Sequence, residues 1–172
     1  MVMKALNSGA SPRGSWVSFG VESGTVELVE YLIALMDECE IEYDLDLCLL
    51  SAASRGDVAL LRKFVSLVTS VSPVTYRLAV ESAAQSGVVD AFVFVFDDGN
   101  IDLGFSLKLA ASLGHSSIVH WIVDNTTIDD EWICIAAGAA RETGMNDIVS
   151  YLMKKTKQTL LTCGIQTTAD YM

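Results

Sequence analysis

At 172 residues the chain is long enough for one domain with a real core and short for two comfortable ones. Apolar residues make up 51% and charged ones 19%, against roughly a quarter charged in an ordinary soluble domain, and mean hydropathy is +0.40, so part of the surface is expected to be covered by something else. A net charge of −11, with scattered basic residues of which only Lys154, Lys155 and Lys157 stand close together, argues against binding a phosphate backbone or an anionic membrane surface.

Residues 1–15 are rich in Ser, Gly and other small residues and contain no apolar run long enough for a signal peptide, so they read as a flexible or extended arm. From Trp16 onward one pattern recurs five times: small residues, a glycine, then an apolar-periodic segment. The stretches are FGVESGTVELVEYLI, LSAASRGDVALLRKFV, ESAAQSGVVDAFVFVF, LAASLGHSSIVHWIV and AARETGMNDIVSYLM. Their pivot glycines are Gly24, Gly56, Gly87, Gly114 and Gly144, separated by 32, 31, 27 and 30 residues.

Four residues after each pivot come Leu28, Leu60, Ala91, Ile118 and Ile148. Five after come Val29, Leu61, Phe92, Val119 and Val149, and eight after come Leu32, Phe64, Val95, Ile122 and Leu152. These offsets share one face of a 3.6-residue helix, and every position is apolar. The pivot reads as a helix C-terminal glycine in the left-handed conformation. Just before it stand Ala52-Ala53, Ala83-Ala84 and Ala110-Ala111, small enough for close helix packing. Each unit is thus predicted as a helix, a tight glycine turn and an antiparallel second helix. Alone it cannot bury its apolar face, so neighbouring units must stack. Ser72 before Pro73 is a predicted N-cap followed by proline at the first helical position. Residues 156–172, TKQTLLTCGIQTTADYM, are Thr-rich with no helical stripe, and read as a C-terminal cap or tail.

The pattern resembles the ankyrin repeat, whose unit of about 33 residues carries an Ala-Ala-x-x-Gly turn and an Ile-Val-x-x-Leu second helix. LAASLGHSSIVHWIVDN, from Leu109 to Asn125, is the best match, and DDGNIDLG, from Asp97 to Gly104, looks like the family's finger. The helix-opening Thr-Pro-Leu-His motif is absent: Phe105-Ser106-Leu107-Lys108 stands there in the fourth unit. The fifth has Ala140-Arg141 for Ala-Ala, and the first Gly20-Val21. The resemblance implies an all-α fold, a solenoid of about five helix-turn-helix ankyrin-like repeats over residues 16–155. A generic helical-repeat solenoid is the alternative; the tetratricopeptide pattern fits worse.

No nucleophile elbow, phosphate-cradling loop or dinucleotide fingerprint occurs, so no active site and no cofactor are expected. His115 and His120, five residues apart on a helix, point about 140° apart and cannot share a metal from one face. Cys39, Cys48, Cys134 and Cys163 lack paired spacing and read as buried or free thiols. A calcium loop over Asp37 to Asp46 would lack its glycine turn. No stretch approaches a membrane span, and the compartment is expected to be the cytoplasm or an intracellular or viral assembly.

Acids concentrate in the linkers: Asp37, Glu38, Glu40, Glu42, Asp44 and Asp46, then Asp97, Asp98 and Asp102, then Asp129, Asp130 and Glu131. They read either as solvated loops or as a docking edge for another protein with a basic surface. Seven residues after the pivots stand Tyr31, Phe94, Trp121 and Tyr151, with Lys63 breaking the series, which is inter-repeat packing or, at Trp121 above all, a binding surface. The expected function is a non-catalytic protein-protein interaction module, an adaptor or scaffold, as the resemblance implies. The alternative is a structural subunit of a larger assembly, such as a virus particle or large ribonucleoprotein. It is favoured by the low charge and by Trp16, Val17 and Phe19 where a polar cap is expected.

Overall fold

The structure, a computed structural model, describes residues 13–23, 25–67, 71–96 and 103–162, with side chains as far as residue 156. Among these the chain is all helical, with no strand. In order come α1 (Ser15–Ser23), α2 (Val26–Glu38), α3 (Leu45–Arg55), α4 (Val58–Leu67), α5 (Pro73–Ser86), α6 (Val89–Val95), α7 (Gly104–Ser112), α8 (Ser116–Asn125), α9 (Asp130–Glu142) and α10 (Asn146–Thr162). They belong to two compact units, Met1–Asp97 and Asp98–Met172.

The turns follow from the pivots. Gly56, Gly87, Gly114 and Gly144 have φ of 67°, 78°, 81° and 79°, the left-handed region that a Cβ resists; Gly24 lies outside the described residues. At Gly56 the glycine N–H donates to the Ala53 carbonyl at 2.9 Å and the next N–H, of Asp57, to Ala52 at 3.1 Å. Gly114 and Gly144 repeat this pair of bonds, to Ala111 and Ala110 and to Arg141 and Ala140. Each turn thereby satisfies two of the carbonyls that a helix end leaves unpaired. The second helix then starts on its own cap in two pairs: Thr25 Oγ1 accepts from Leu28 N, and Asp57 Oδ1 from Ala59 N and Leu60 N.

In the first unit, α1 packs on α2, α3 on α4 and α5 on α6; the first helices α1, α3 and α5 lie side by side, and α4 lies beside α6. The stripes four, five and eight residues after the pivots make the core: Val29, Leu32, Leu60, Leu61, Phe64, Ala91, Phe92 and Val95 are buried, with only Leu28 half-buried. Each large side chain removed from water there contributes about 1.5–3 kcal/mol. Between the stacked helices Ala52, Ala53, Ala83 and Ala84 are fully covered. The Arg55 guanidinium reaches back from α3 to the Val21 carbonyl at 2.5 Å, so the end of α1 is capped by its neighbour. Val17 is buried, Trp16 half-buried and Phe19 exposed at this end of the unit.

The second unit repeats the scheme: α7 packs on α8, α9 on α10, and α7 lies against α9. Ile118, Val119, Ile122, Ile148 and Leu152 are buried and Val149 half-buried. A Cβ on Gly104 would meet the Trp132 indole at 2.1 Å, so the missing side chain lets α9 lay its tryptophan on the backbone of α7. The last helix runs on to Thr162, beyond the boundary at residue 155 drawn where the apolar stripe ends. Residues 1–12 of the expected arm and 163–172 of the expected tail lie outside the described residues, as does most of the DDGNIDLG segment.

Candidate protein-interaction surface

The acidic linkers are where helices start, and several acids work there. Asp44 caps α3, its Oδ1 accepting from Leu47 N at 2.9 Å. Asp46, half-buried, accepts from Thr75 Oγ1 at 2.8 Å and so ties α3 to α5. Ser72 caps α5, ahead of Pro73, by accepting from Thr75 N at 3.0 Å. Asp129 occupies the N-cap position of α9 without a side-chain bond to it, and Asp130 and Glu131 fill its first turn, where the helix dipole favours negative charge. Asp37, Glu38, Glu40 and Glu42 are exposed around the loop that joins α2 to α3. Asp97, Asp98 and Asp102 lie outside the described residues.

That loop is shaped by one unusual residue. Glu40 has φ of 53°, with its N–H donating to Asp37 and the Ile41 N–H to Met36 at 2.9 Å. This is the glycine turn again, made by a glutamate. Two clefts flank it. One, of about 560 Å³, is lined by Met36, Asp37, Glu40, Ile41, Glu42, Tyr43 and Leu45. The other, of about 610 Å³, is lined by Arg13, Ser15, Ser18, Glu42, Tyr43, Asp44 and Leu47 among others. Burial, then the negative charge of Asp37, pushes the Tyr43 phenol above its ordinary value. Burial, then Asp44, pushes the Cys48 thiol up to about 12, so it is an inert core thiol, whereas Cys39 and Cys134 are exposed.

The second helices are tied to one another by long polar and aromatic side chains. Lys63 on α4 ion-pairs with Glu30 on α2 at 3.6 Å, and Arg62 lies 4.8 Å over the Phe94 ring of α6. In the second unit Lys155 and Tyr151 of α10 donate to Asp124 Oδ1 of α8 at 2.5 and 3.0 Å, and the His120 ring lies 4.0 Å from that of Tyr151. The hydrogen bond from Lys155, then that from Tyr151, holds the Asp124 carboxyl below its ordinary value; the bond to Asp124 raises Lys155. The aromatic series thus bridges neighbours at Phe94 and Tyr151, while Tyr31 is exposed and Trp121 half-buried.

The first helices are finished differently. Nine residues before each described pivot stand Leu47, Leu78, Phe105 and Ile135, exposed by 45%, 37%, 46% and 38%. A forward reading from the pivots misses this position, although the same spacing counted backwards contains it. Val74, one turn before Leu78, is 60% exposed. Among the described residues no group of three or more His, Cys, Asp or Glu side chains is placed to hold a metal ion, and no helix is long and apolar enough to cross a membrane. Compared with known proteins, the chain matches no family model, no curated protein and no solved structure.

Proposed function

We propose that the chain is a non-catalytic protein-protein interaction module, an acidic scaffold built as a solenoid of about five degenerate ankyrin-like helix pairs whose first helices carry the contacts. One observation supports this most: a large apolar side chain stands exposed at the same register on α3, α5, α7 and α9. The second helices have no such shared exposed position, and their long side chains reach across to neighbouring helices. Exposed apolar residues that recur in register cost solubility and add nothing to a monomer's core, which is the signature of a surface that another molecule covers.

The test is cross-linking and capture from the native source with the wild-type chain and a Leu47→Ser/Leu78→Ser/Phe105→Ser/Ile135→Ser variant of equal thermal stability. A stoichiometric partner retained by the first and lost by the second is expected. Equal capture by both moves the contacts off the first helices and sinks the reading. A second reading, a permanent subunit of a larger assembly, is favoured by the further exposed apolar residues Tyr31, Val65, Leu67 and Val93 on second helices. Light scattering separates the two: a well-behaved monomer fits the adaptor, and aggregation relieved only by a co-expressed partner fits the subunit.

A further inference from the structure

We infer that one patch of the first unit, made by Tyr43, Leu47, Val74 and Leu78, receives a positively charged amphipathic helix of another protein. The inference rests on the interaction-module reading and names the partner's chemistry. The patch has a fixed construction. The half-buried Tyr43 stands in the linker just ahead of the Asp44 cap and Leu47 in the first turn of α3, while Val74 and Leu78 are four residues apart at the start of α5, one helical turn. The Asp46–Thr75 hydrogen bond joins the two helices immediately beside Leu47 and Val74, which holds the two strips side by side. The one-turn spacing of Val74 and Leu78, with Leu47 on the neighbouring helix, accepts apolar residues at i, i+3 or i+4 of a docked helix.

The charge of the surroundings selects the sign of that helix. Tyr43 and Glu42 belong to both clefts beside the strip, with Asp37 and Glu40 on the rim of one and Asp44 on the other. Met36, Ile41 and Leu45 line the first cleft together with Asp37, Glu40 and Glu42, which suits the long apolar stem and charged head of lysine or arginine. On the basic side Arg13 lines the second cleft, and Arg77 lies 3.9 Å from Glu81. The second unit offers a poorer seat. Where the first has Val74, its last pair has Glu131, and Lys108 stands one turn from Phe105.

Fluorescence anisotropy with short labelled helical peptides tests this on the full chain. The probes carry leucine on one face and lysine on the other, with glutamate-for-lysine and sequence-scrambled peptides as controls. Saturable binding of the lysine peptide is expected, falling with added salt, with the two controls at least about tenfold weaker. Leu47→Ser/Leu78→Ser is expected to weaken it about tenfold or more, and Glu42→Lys to weaken it and flatten the salt dependence. Phe105→Ser/Ile135→Ser is expected to leave it within about twofold. Circular dichroism melting confirms that each variant is folded. Failure of the lysine peptide to bind, a preference for the glutamate peptide, or equal loss in the second-unit variant overturns the inference. The broader reading survives such a failure if a native partner is still lost from the four-site variant, and falls separately if it is not.

Discussion

Two lines of apolar residues run at the repeat spacing, and the protein treats them in opposite ways. The line after each pivot, from Leu60, Leu61 and Phe64 to Ile118, Val119 and Ile122, is sealed. The line before each pivot, Leu47, Leu78, Phe105 and Ile135, stays in contact with solvent. Hydrophobicity and period are the same in both; only what lies opposite differs. The after-line lies on helices that pack on the first helix of their own pair and its side chains are covered, while the before-line, on the first helices, keeps between 37% and 46% of its surface in water. A periodic apolar pattern is therefore evidence of a shared environment, and burial has to be established apart from it.

The largest expected effect breaks that contrast at its centre. Phe92→Ala empties a fully buried site and is expected to cost about 3–5 kcal/mol in urea unfolding, whereas Leu78→Ala, at a partly covered site, is expected to cost about 1 kcal/mol. Comparable losses at the two positions would mean the before-line is packed after all.

The turns that set the spacing come next. Gly144 opens on empty space, so Gly144→Ala is expected to cost only the left-handed conformation, about 1–2 kcal/mol. At Gly56 a Cβ would also meet Val88 Cγ2 at 2.5 Å, so Gly56→Ala is expected to cost more. Equal costs would argue that Val88 yields freely.

Thr75→Val sharpens the comparison at the seam between α3 and α5. It strands the half-buried Asp46 carboxylate and is expected to cost about 1–2 kcal/mol. An unchanged denaturation midpoint would remove the tie that aligns the exposed strips. Glu40→Gly runs the other way: it puts the residue the turn favours into a left-handed position and is expected to stabilise by about 0.5–1 kcal/mol.

The smallest effect concerns the exposed bridge on the second helices. Asp124 is depressed, so its contribution is present above the ordinary carboxylate value near about 4 and fades as pH falls through its lower folded value. Lys155 and Tyr151 are raised, the latter chiefly by burial, so theirs are present below about 10 and fade as pH rises through the folded values. The gap between wild type and Asp124→Asn in urea midpoint is expected to be small at neutral pH and to close at both extremes. A gap that persists at pH 2 would assign the loss to something other than the ion pair.

Much of the fold was legible because the information is local. A glycine at a left-handed turn, alanines before it and an apolar stripe after it each act within one helix pair, and Ser72-Pro73 announces its helix start directly. The candidate surface was only half legible. The acids of the linkers are plain in the sequence, but Asp44 and Asp46 turn out to cap and tie helices. Asp46 finds Thr75 only when α3 and α5 lie together, 29 residues apart in sequence. Glu40 offered no signal, since nothing in its type marks a left-handed residue.

By itself the sequence determined where the helices reverse, which faces carry apolar groups and that the chain is strongly acidic, because these depend on backbone sterics, side-chain type and spacing along one strand of chain. Only the tertiary structure decided which of two equivalent apolar lines is covered, which carboxylates are spent on the fold and where an uncovered strip meets a charged rim. Those depend on neighbours distant in sequence, and water is removed from a side chain only by what packs against it.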